Sequence, residues 1–176
     1  MSDSVVIVAA KRTPIGSMNG QLVGLTSPQL ASVAIKAAVA QSGLKPEDIT
    51  EALIGCVLPA ALGQAPARQA VLGADLLKST TCTTVNKVCG SGMKTAMLAH
   101  DSIMAGSASC MIAGGMESMS NAPHMLPKAR QGYRYGHFKA LDHMAFDGLE
   151  NAYDGKSMGI FADATAAKYG FTREDQ

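Results

Sequence analysis

The chain has 176 residues, 47% hydrophobic and only 16% charged, with a formal net charge of +1. That length suits one ordinary domain with a sizeable core, and the near-neutral balance excludes a global attraction to nucleic acid or to an anionic membrane surface. No apolar stretch reaches the about 18 residues of a membrane span. Met1-Ser2-Asp3-Ser4 is not a basic leader, and the apolar run behind it is too short for a signal-peptide core; the expected location is cytoplasmic.

In chain order, Val5 to Ala10 is a continuous apolar run of strand length, which predicts a strand buried on both faces. Lys11 to Gly16 breaks it into a loop. Ser27-Pro28 reads as an N-cap followed by a first-turn proline and Gly43 as a stop, which predicts a helix whose inner face carries Leu30, Val33, Ala34, Ala37 and Ala38. Pro46 to Asp48 is a turn or short helical segment. A second strand is expected over Ala52 to Leu58, a helix over Pro66 to Gly73 and a third strand over Thr80 to Val85. Met93, Ala96, Met97, His100, Ile103 and Met104 then follow helical spacing up to Gly106, and Cys110 to Ala113 is a short strand ending at Gly114-Gly115. Alternating strands and helices predict an α/β sheet rather than a bundle. From about Glu117 the chain turns irregular, with Pro123, Pro127 and a basic cluster of Lys128, Arg130, Arg134, His137 and Lys139.

Residues 85 to 92, Val-Asn-Lys-Val-Cys-Gly-Ser-Gly, carry the strongest functional signal. They put Cys89 after a β-branched run and just ahead of an amphipathic pattern, at a strand-to-helix turn. Amide N–H groups and the helix dipole stabilise a thiolate at such a turn, and Gly90 and Gly92 remove Cβ atoms where a substrate would approach the backbone. Local chemistry leaves two readings open: a nucleophilic thiol with an anion-binding turn, or a buried inert cysteine in a turn built for packing. The four cysteines form no Cys-x-x-Cys pair and no zinc spacing with histidine. Cys56, Cys82 and Cys110 lie in apolar, strand-like surroundings and are expected as free buried thiols of a reducing compartment.

Other candidates carry less. Gly90 to Lys94 lacks the P-loop spacing, and Gly114-Gly115 lacks the dinucleotide fingerprint. His100 lies in the apolar stripe of its helix and is expected as a hydrogen-bonded core histidine. His124, His137 and His143 have no carboxylate spacing of a metal site, so no metal is expected. The methionines at 116, 119, 125, 144 and 158 read as core filler, although a methionine-lined slot would also suit a flexible acyl or pantetheine chain. The basic cluster reads as a solvated face, with phosphate binding as the alternative.

Several segments together resemble the thiolase family: Arg12-Thr13-Pro14-Ile15-Gly16, Val85 to Lys94, Ala113-Gly114-Gly115-Met116-Glu117-Ser118-Met119-Ser120, Asp147-Gly148-Leu149 and Ser157-Met158-Gly159. The resemblance runs in order over essentially the whole chain. It implies a thiolase-like α/β fold, with an N-terminal half-core of alternating strands and helices over residues 1–118 and the beginning of a loop domain that covers coenzyme A over 119–176. It implies that Cys89 is acylated by one acyl-CoA and that the carbanion of a second acetyl-CoA attacks the thioester; thiolysis is the reverse. By family position Met158 lines the acyl pocket, with Leu149 and Ser157 near the pantetheine; family members often carry histidine where Ser157 stands. The implied partners are acyl-CoA and CoA as substrates, with no resident cofactor, and further copies in a homodimer or homotetramer, with no nucleic acid or membrane.

The resemblance also marks a departure. Thiolases take a base histidine, in a Gly-His-Pro motif, and a second proton-transferring cysteine from a C-terminal half-core, and neither motif occurs in this chain. Thr172-Arg173-Glu174-Asp175 reads as a helix start with a threonine cap just before the last residue. The expectation is therefore the front portion of a longer polypeptide, inactive by itself. Two other readings stand beside it: a non-catalytic half-domain acting through assembly with another chain, and a condensing enzyme of fatty-acid or polyketide synthesis, a class that usually lacks the Gly-Gly-Met-Glu-Ser-Met-Ser segment.

Overall fold

The computed structural model describes residues 4–176. The chain forms two compact units, one running to Asn121 and one from Ala122 onward.

The first unit is built on a parallel three-stranded sheet, order β2-β1-β3, with β1 at Glu51–Gly55, β2 at Thr81–Val85 and β3 at Met111–Gly115. The central strand pairs Leu53 with Thr83 on one side and with Ala113 on the other. Helix α2 (Pro66–Gly73) links β1 to β2, and α3 (Ser91–Met104) links β2 to β3. Side chains alternate along a strand, so β1 serves both faces. Ala52, Ile54 and Cys56 enter a core with Ala67, Ala70 and Val71 of α2 and with Ala31 and Ile35 of α1 (Ser27–Ser42). Gly55 points to the other face, against the start of α3. A strand covered on both faces reads as a continuous apolar run, which is why the sequence revealed it.

The bounds of α2 match those read from its proline and glycine, and the turn at Pro46–Asp48 is a 3₁₀ helix. Helix α1 runs as expected into Gly43, at φ 71. Its cap is Thr26 rather than Ser27: Thr26 and Gln29 exchange side-chain and backbone hydrogen bonds in a capping box. The inner face of α1 also differs. Ser27, Pro28, Ala31 and Ile35 are buried, whereas Val33 is exposed. The approach to α2 requires small groups, since a Cβ on Gly73 would lie 2.4 Å from Ser32 Oγ, and Ser32 Oγ donates to the Ala70 carbonyl at 2.9 Å.

Two further expectations are corrected. Val5 to Ala10 is not a strand; no ladder among the described residues pairs with it, and Val6, Ile7 and Val8 are exposed. A β run needs a neighbouring strand for its backbone groups, and hydrophobic patterning does not reveal whether one is present. Helix α3 buries Ser91, Thr95 and Ala99, and leaves the expected inner residues Met93, Met97, His100 and Met104 exposed. His100 is thus no core histidine; its Nδ1 lies 3.3 Å from Asp101 at the surface.

The second unit contains a short antiparallel ladder of β4 (His124–Met125) and β5 (Leu141–Asp142), a π-helical segment at Met144–Leu149, and α4 (Met158–Tyr169). Met116 joins the core of the first unit, but Met119 and Met158 are substantially exposed. Thr172 and Asp175 do exchange capping hydrogen bonds, around a turn rather than a helix. No helix among the described residues is long and apolar enough to cross a membrane.

Candidate active site

In open α/β sheets, ligands bind beyond the carboxyl ends of the strands, where successive connections diverge to opposite sides. Here β1 leads to β2 on one side, and the chain then crosses to β3 on the other. Three strand exits therefore lie at one end of the sheet: Cys56 to Leu58 after β1, Asn86 to Gly90 after β2, and Met116 to Asn121 after β3.

Cys89 is exposed on the β2 exit, just before α3. Val88, which precedes it, has φ 48. A β-branched residue in that region is strained by about 1–3 kcal/mol and persists where its surroundings over-determine it. The surroundings are visible. Asn86 Oδ1 accepts from the Val88 N–H at 2.9 Å. Ser91 Oγ accepts from the Lys87 N–H at 2.8 Å and donates to the Val88 carbonyl at 2.5 Å. The amides of Gly90 and Ser91 close onto the carbonyls of Lys87 and Val88, and the Gly90 carbonyl accepts from Lys94 in the first helical turn. The thiol is thereby held outward at the end of a fixed turn.

The first turn of α3 sits almost on the sheet backbone. A Cβ on Gly55 would lie 2.7 Å from the Ser91 carbonyl carbon and 2.8 Å from the Gly92 nitrogen. One on Gly115 would lie 3.3 Å from the Gly92 Cα. Thr95, fully buried, donates from Oγ1 toward the carbonyls of Gly92, at 2.7 Å, and Gly114, at 3.0 Å. This closeness explains why α3 turns its small residues inward. Gly90 and Gly92 themselves meet only ordinary contacts within the protein.

Glu117, which the sequence reading did not single out, joins the β1 and β3 exits. Its Oε2 accepts from the Val57 N–H at 2.9 Å, and its Oε1 accepts from the Leu58 N–H at 3.0 Å and from the Cys56 thiol at 3.6 Å. Burial pushes the Cys56 thiol up to about 12, with the Glu117 charge acting in the same direction. Burial also raises Cys82 and Cys110. All four cysteines are free, and Cys89 is the exposed one. Ser118 and Ser120 of the Gly-Gly-Met-Glu-Ser-Met-Ser segment, with Asn121 just after it, clasp the loop before α1: Ser118 Oγ donates to the Leu25 carbonyl, Asn121 Nδ2 to those of Val23 and Leu25, and Ser120 Oγ accepts from the Asn19 N–H. A glutamate after a glycine pair, followed by Ser118 and Ser120, was the available signal, but its partners are long-range.

Leu149, Ser157 and Met158 belong to the second unit. Leu149 ends the π-helical segment, Ser157 stands at the N-cap of α4 without a side-chain capping bond, and Met158 opens that helix. An isolated bridge pairs Glu150 with Ser157, so the three are neighbours within their unit. The buried His143 puts Nδ1 2.6 Å from Asp147 Oδ2, one turn along the same segment. Among the described residues no three His, Cys, Asp or Glu side chains gather as metal ligands would.

Comparison with known proteins places the chain in a family. Residues 5–176 match the model of the thiolase N-terminal domain. Over 172 residues the chain is 50% identical to an acetyl-CoA acetyltransferase of Chromobacterium violaceum and 49% identical to one of Cupriavidus necator, covering 98% of this chain and 44% of each relative. It is 47% identical over its whole length to an acetyl-CoA acetyltransferase of Schizosaccharomyces pombe, covering 45% of that protein. The chain thus spans less than half the length of these curated relatives. With a cysteine turn between β2 and α3 and a match across nearly every residue, the chain belongs to the thiolase family and corresponds to its N-terminal domain.

Proposed function

We propose that these residues are the acyl-accepting part of an acetyl-CoA C-acetyltransferase, and that Cys89 carries the acyl group. The observation that carries the reading is the exposed Cys89 thiol on a braced turn at the carboxyl end of the sheet. In this chemistry the Cys89 sulfur attacks the thioester carbonyl of an acyl-CoA, the carbon–sulfur bond to CoA breaks, and CoA leaves as a thiol after taking a proton. The positive end of the α3 dipole, which begins just after Cys89, would favour the oxyanion that forms in between. The second cysteine of this chemistry, supplied by another segment, would take the α-proton of acetyl-CoA. The resulting carbanion bonds to the acyl carbon and expels the Cys89 thiolate, giving acetoacetyl-CoA when the acyl group is acetyl, and thiolysis is the reverse. Met158 would line the acyl pocket, with Leu149 and Ser157 beside the pantetheine. The relatives' name supports the acetyl specificity. The substrates serve as their own CoA carriers, without a resident cofactor or metal.

The base histidine and second cysteine of this chemistry have no counterpart motif in the chain. The 176 residues alone should therefore turn over negligibly, and a thiolysis assay with acetoacetyl-CoA tests this. Robust activity would overturn the claim that another segment supplies essential groups. Acetylation of Cys89, read as a mass increase on its peptide after incubation of the complete protein with acetyl-CoA, tests the nucleophile. Modification elsewhere would refute it.

A second reading, assembly without catalysis, is favoured by the exposed apolar side chains of α3 (Met93, Met97, Met104), of the leading run (Val6, Ile7, Val8) and of the loop after it (Ile15). Faces of this kind mark interaction surfaces, and a homodimer or homotetramer would cover them. Rapid, acyl-CoA-protectable alkylation of Cys89 favours the enzyme, whereas four equally slow thiols favour the structural role. Four free thiols also suit a reducing, cytoplasmic compartment.

A further inference from the structure

We infer that Glu117 and Asn86 are positioning residues for Cys89, linked in series through the backbone of Val57. The inference rests on the reading of Cys89 as the nucleophile and deepens it.

The turn that presents Cys89 contains a strained residue, Val88, at φ 48. Ser91 ties this turn to the start of α3 and so braces it locally. Asn86 does something different, because its amide faces two ways. Oδ1 accepts from the Val88 N–H at 2.9 Å, and Nδ2 reaches out of the turn to the Val57 carbonyl at 3.4 Å. The two partners are chemically opposite, a donor and an acceptor, which fixes the orientation of the amide. Val57 is in turn held by its own N–H, which donates to Glu117 Oε2 at 2.9 Å, while the neighbouring Leu58 N–H donates to Oε1 at 3.0 Å.

The carboxylate emerging from β3 thus grips the β1 exit, and the β1 exit grips the Asn86 amide that sets the Val88 backbone. Charge-assisted bonds to backbone amides are the strong class, so the Glu117 clamp is the firm end of the link and the Asn86–Val57 bond the weak one. Cys89 is already exposed. Its reactivity is therefore governed by where the turn holds it against the α3 amides, rather than by access.

The test is the rate at which iodoacetamide alkylates each cysteine of the chain, resolved by peptide mass spectrometry, in the wild type, Glu117→Gln, Asn86→Ser and the double variant. Gln keeps one acceptor oxygen but turns an amide NH₂ toward a backbone N–H. Ser retains a short acceptor for the Val88 N–H but cannot reach Val57. Each single variant should slow Cys89 roughly fivefold, within the range of couplings carried by such networks, and leave Cys82 and Cys110 unchanged. Because the two residues act in series, the double variant should be no slower than the slower single.

Unchanged Cys89 rates, effects that multiply in the double variant, or parallel changes at Cys82 and Cys110 would each overturn the inference. If Glu117→Gln does not fold, Asn86→Ser decides alone, since it cuts the same link and leaves the clamp in place. Alkylation requires no acyl-CoA, so a failure of acetyl-CoA to acylate Cys89 would count against the proposed function while this outcome stayed readable.

Discussion

Gly55 lies directly under Ser91: a methyl group on this strand residue would come within 2.7 Å of the Ser91 carbonyl carbon. The obstacle is backbone, which cannot rotate away as a flexible side chain would. Gly55→Ala should therefore lift the first turn of α3 from the sheet and destabilise the chain by about 1–3 kcal/mol, the range for overpacked sites. Urea unfolding reads the loss, and slower alkylation of Cys89 should accompany it. A variant as stable as the parent would show that α3 is not seated as described.

Ser91→Ala removes a side chain that is 4% exposed and bonded both to the Lys87 N–H and to the Val88 carbonyl. Its loss leaves the part-buried Lys87 N–H without that acceptor, at a cost of about 1–3 kcal/mol, while the Val88 carbonyl keeps its bond from the Ser91 N–H. The urea midpoint should fall, and Cys89 should lose reactivity more than the other thiols do.

Cys56 gives a pH prediction with a definite sign. Its thiol is raised from 9.0 to about 12, chiefly by burial. For an acid raised in the folded state, the unfolded chain loses its proton first. The stabilisation is present below pH 9 and declines as pH rises from 9 toward 12. Unfolding free energy should therefore fall by roughly 1.4 kcal/mol per pH unit once past that point, on account of this group. Cys82 and Cys110 shift in the same direction, so the comparison that isolates Cys56 is with Cys56→Ala, whose stability should decline less steeply in urea titrations at about pH 9 to 10.5.

Ser157 caps α4 without a side-chain hydrogen bond. Ser157→Ala should change stability by less than about 0.5 kcal/mol. Any rise in KM for an acyl-CoA in the complete protein would then report contact with substrate. Met158→Ala should raise KM for the acyl substrate more than it changes unfolding, because Met158 is 40% exposed. Unaltered kinetics in both variants would remove them from the proposed pocket.

Much of the frame was legible because it follows local rules. Pro66 and Gly73 bound α2 as their backbone preferences dictate, and the apolar run after Thr50 announced a doubly covered strand. The run from Thr80 to Val85, followed by the cysteine turn and a helix, marked the candidate site. Other features were decided by distance in space. The periodicity of Met93, Met97 and His100 pointed to an inner face, but the glycines at 55 and 115 bring α3 so close that Ser91, Thr95 and Ala99 take that place. The Glu117 clamp joins residues some sixty positions apart, and nothing in its immediate neighbours specifies Val57. Val5 to Ala10 carries the pattern of a strand, yet pairing depends on a neighbour that a pattern cannot supply.

The outward face of α3 carries Met93 at 69%, Met97 at 51% and Met104 at 51% exposure, while Met116 is 7% exposed. Thioethers convert to polar sulfoxides according to their exposure, so dilute peroxide should mark the three helix residues well before Met116. Whatever covers this face in an assembly would shield them together. The pattern of sulfoxides is consequently a chemical footprint: it distinguishes a bare helix from an occupied one in a single mass spectrum, and it reports on assembly without requiring catalysis.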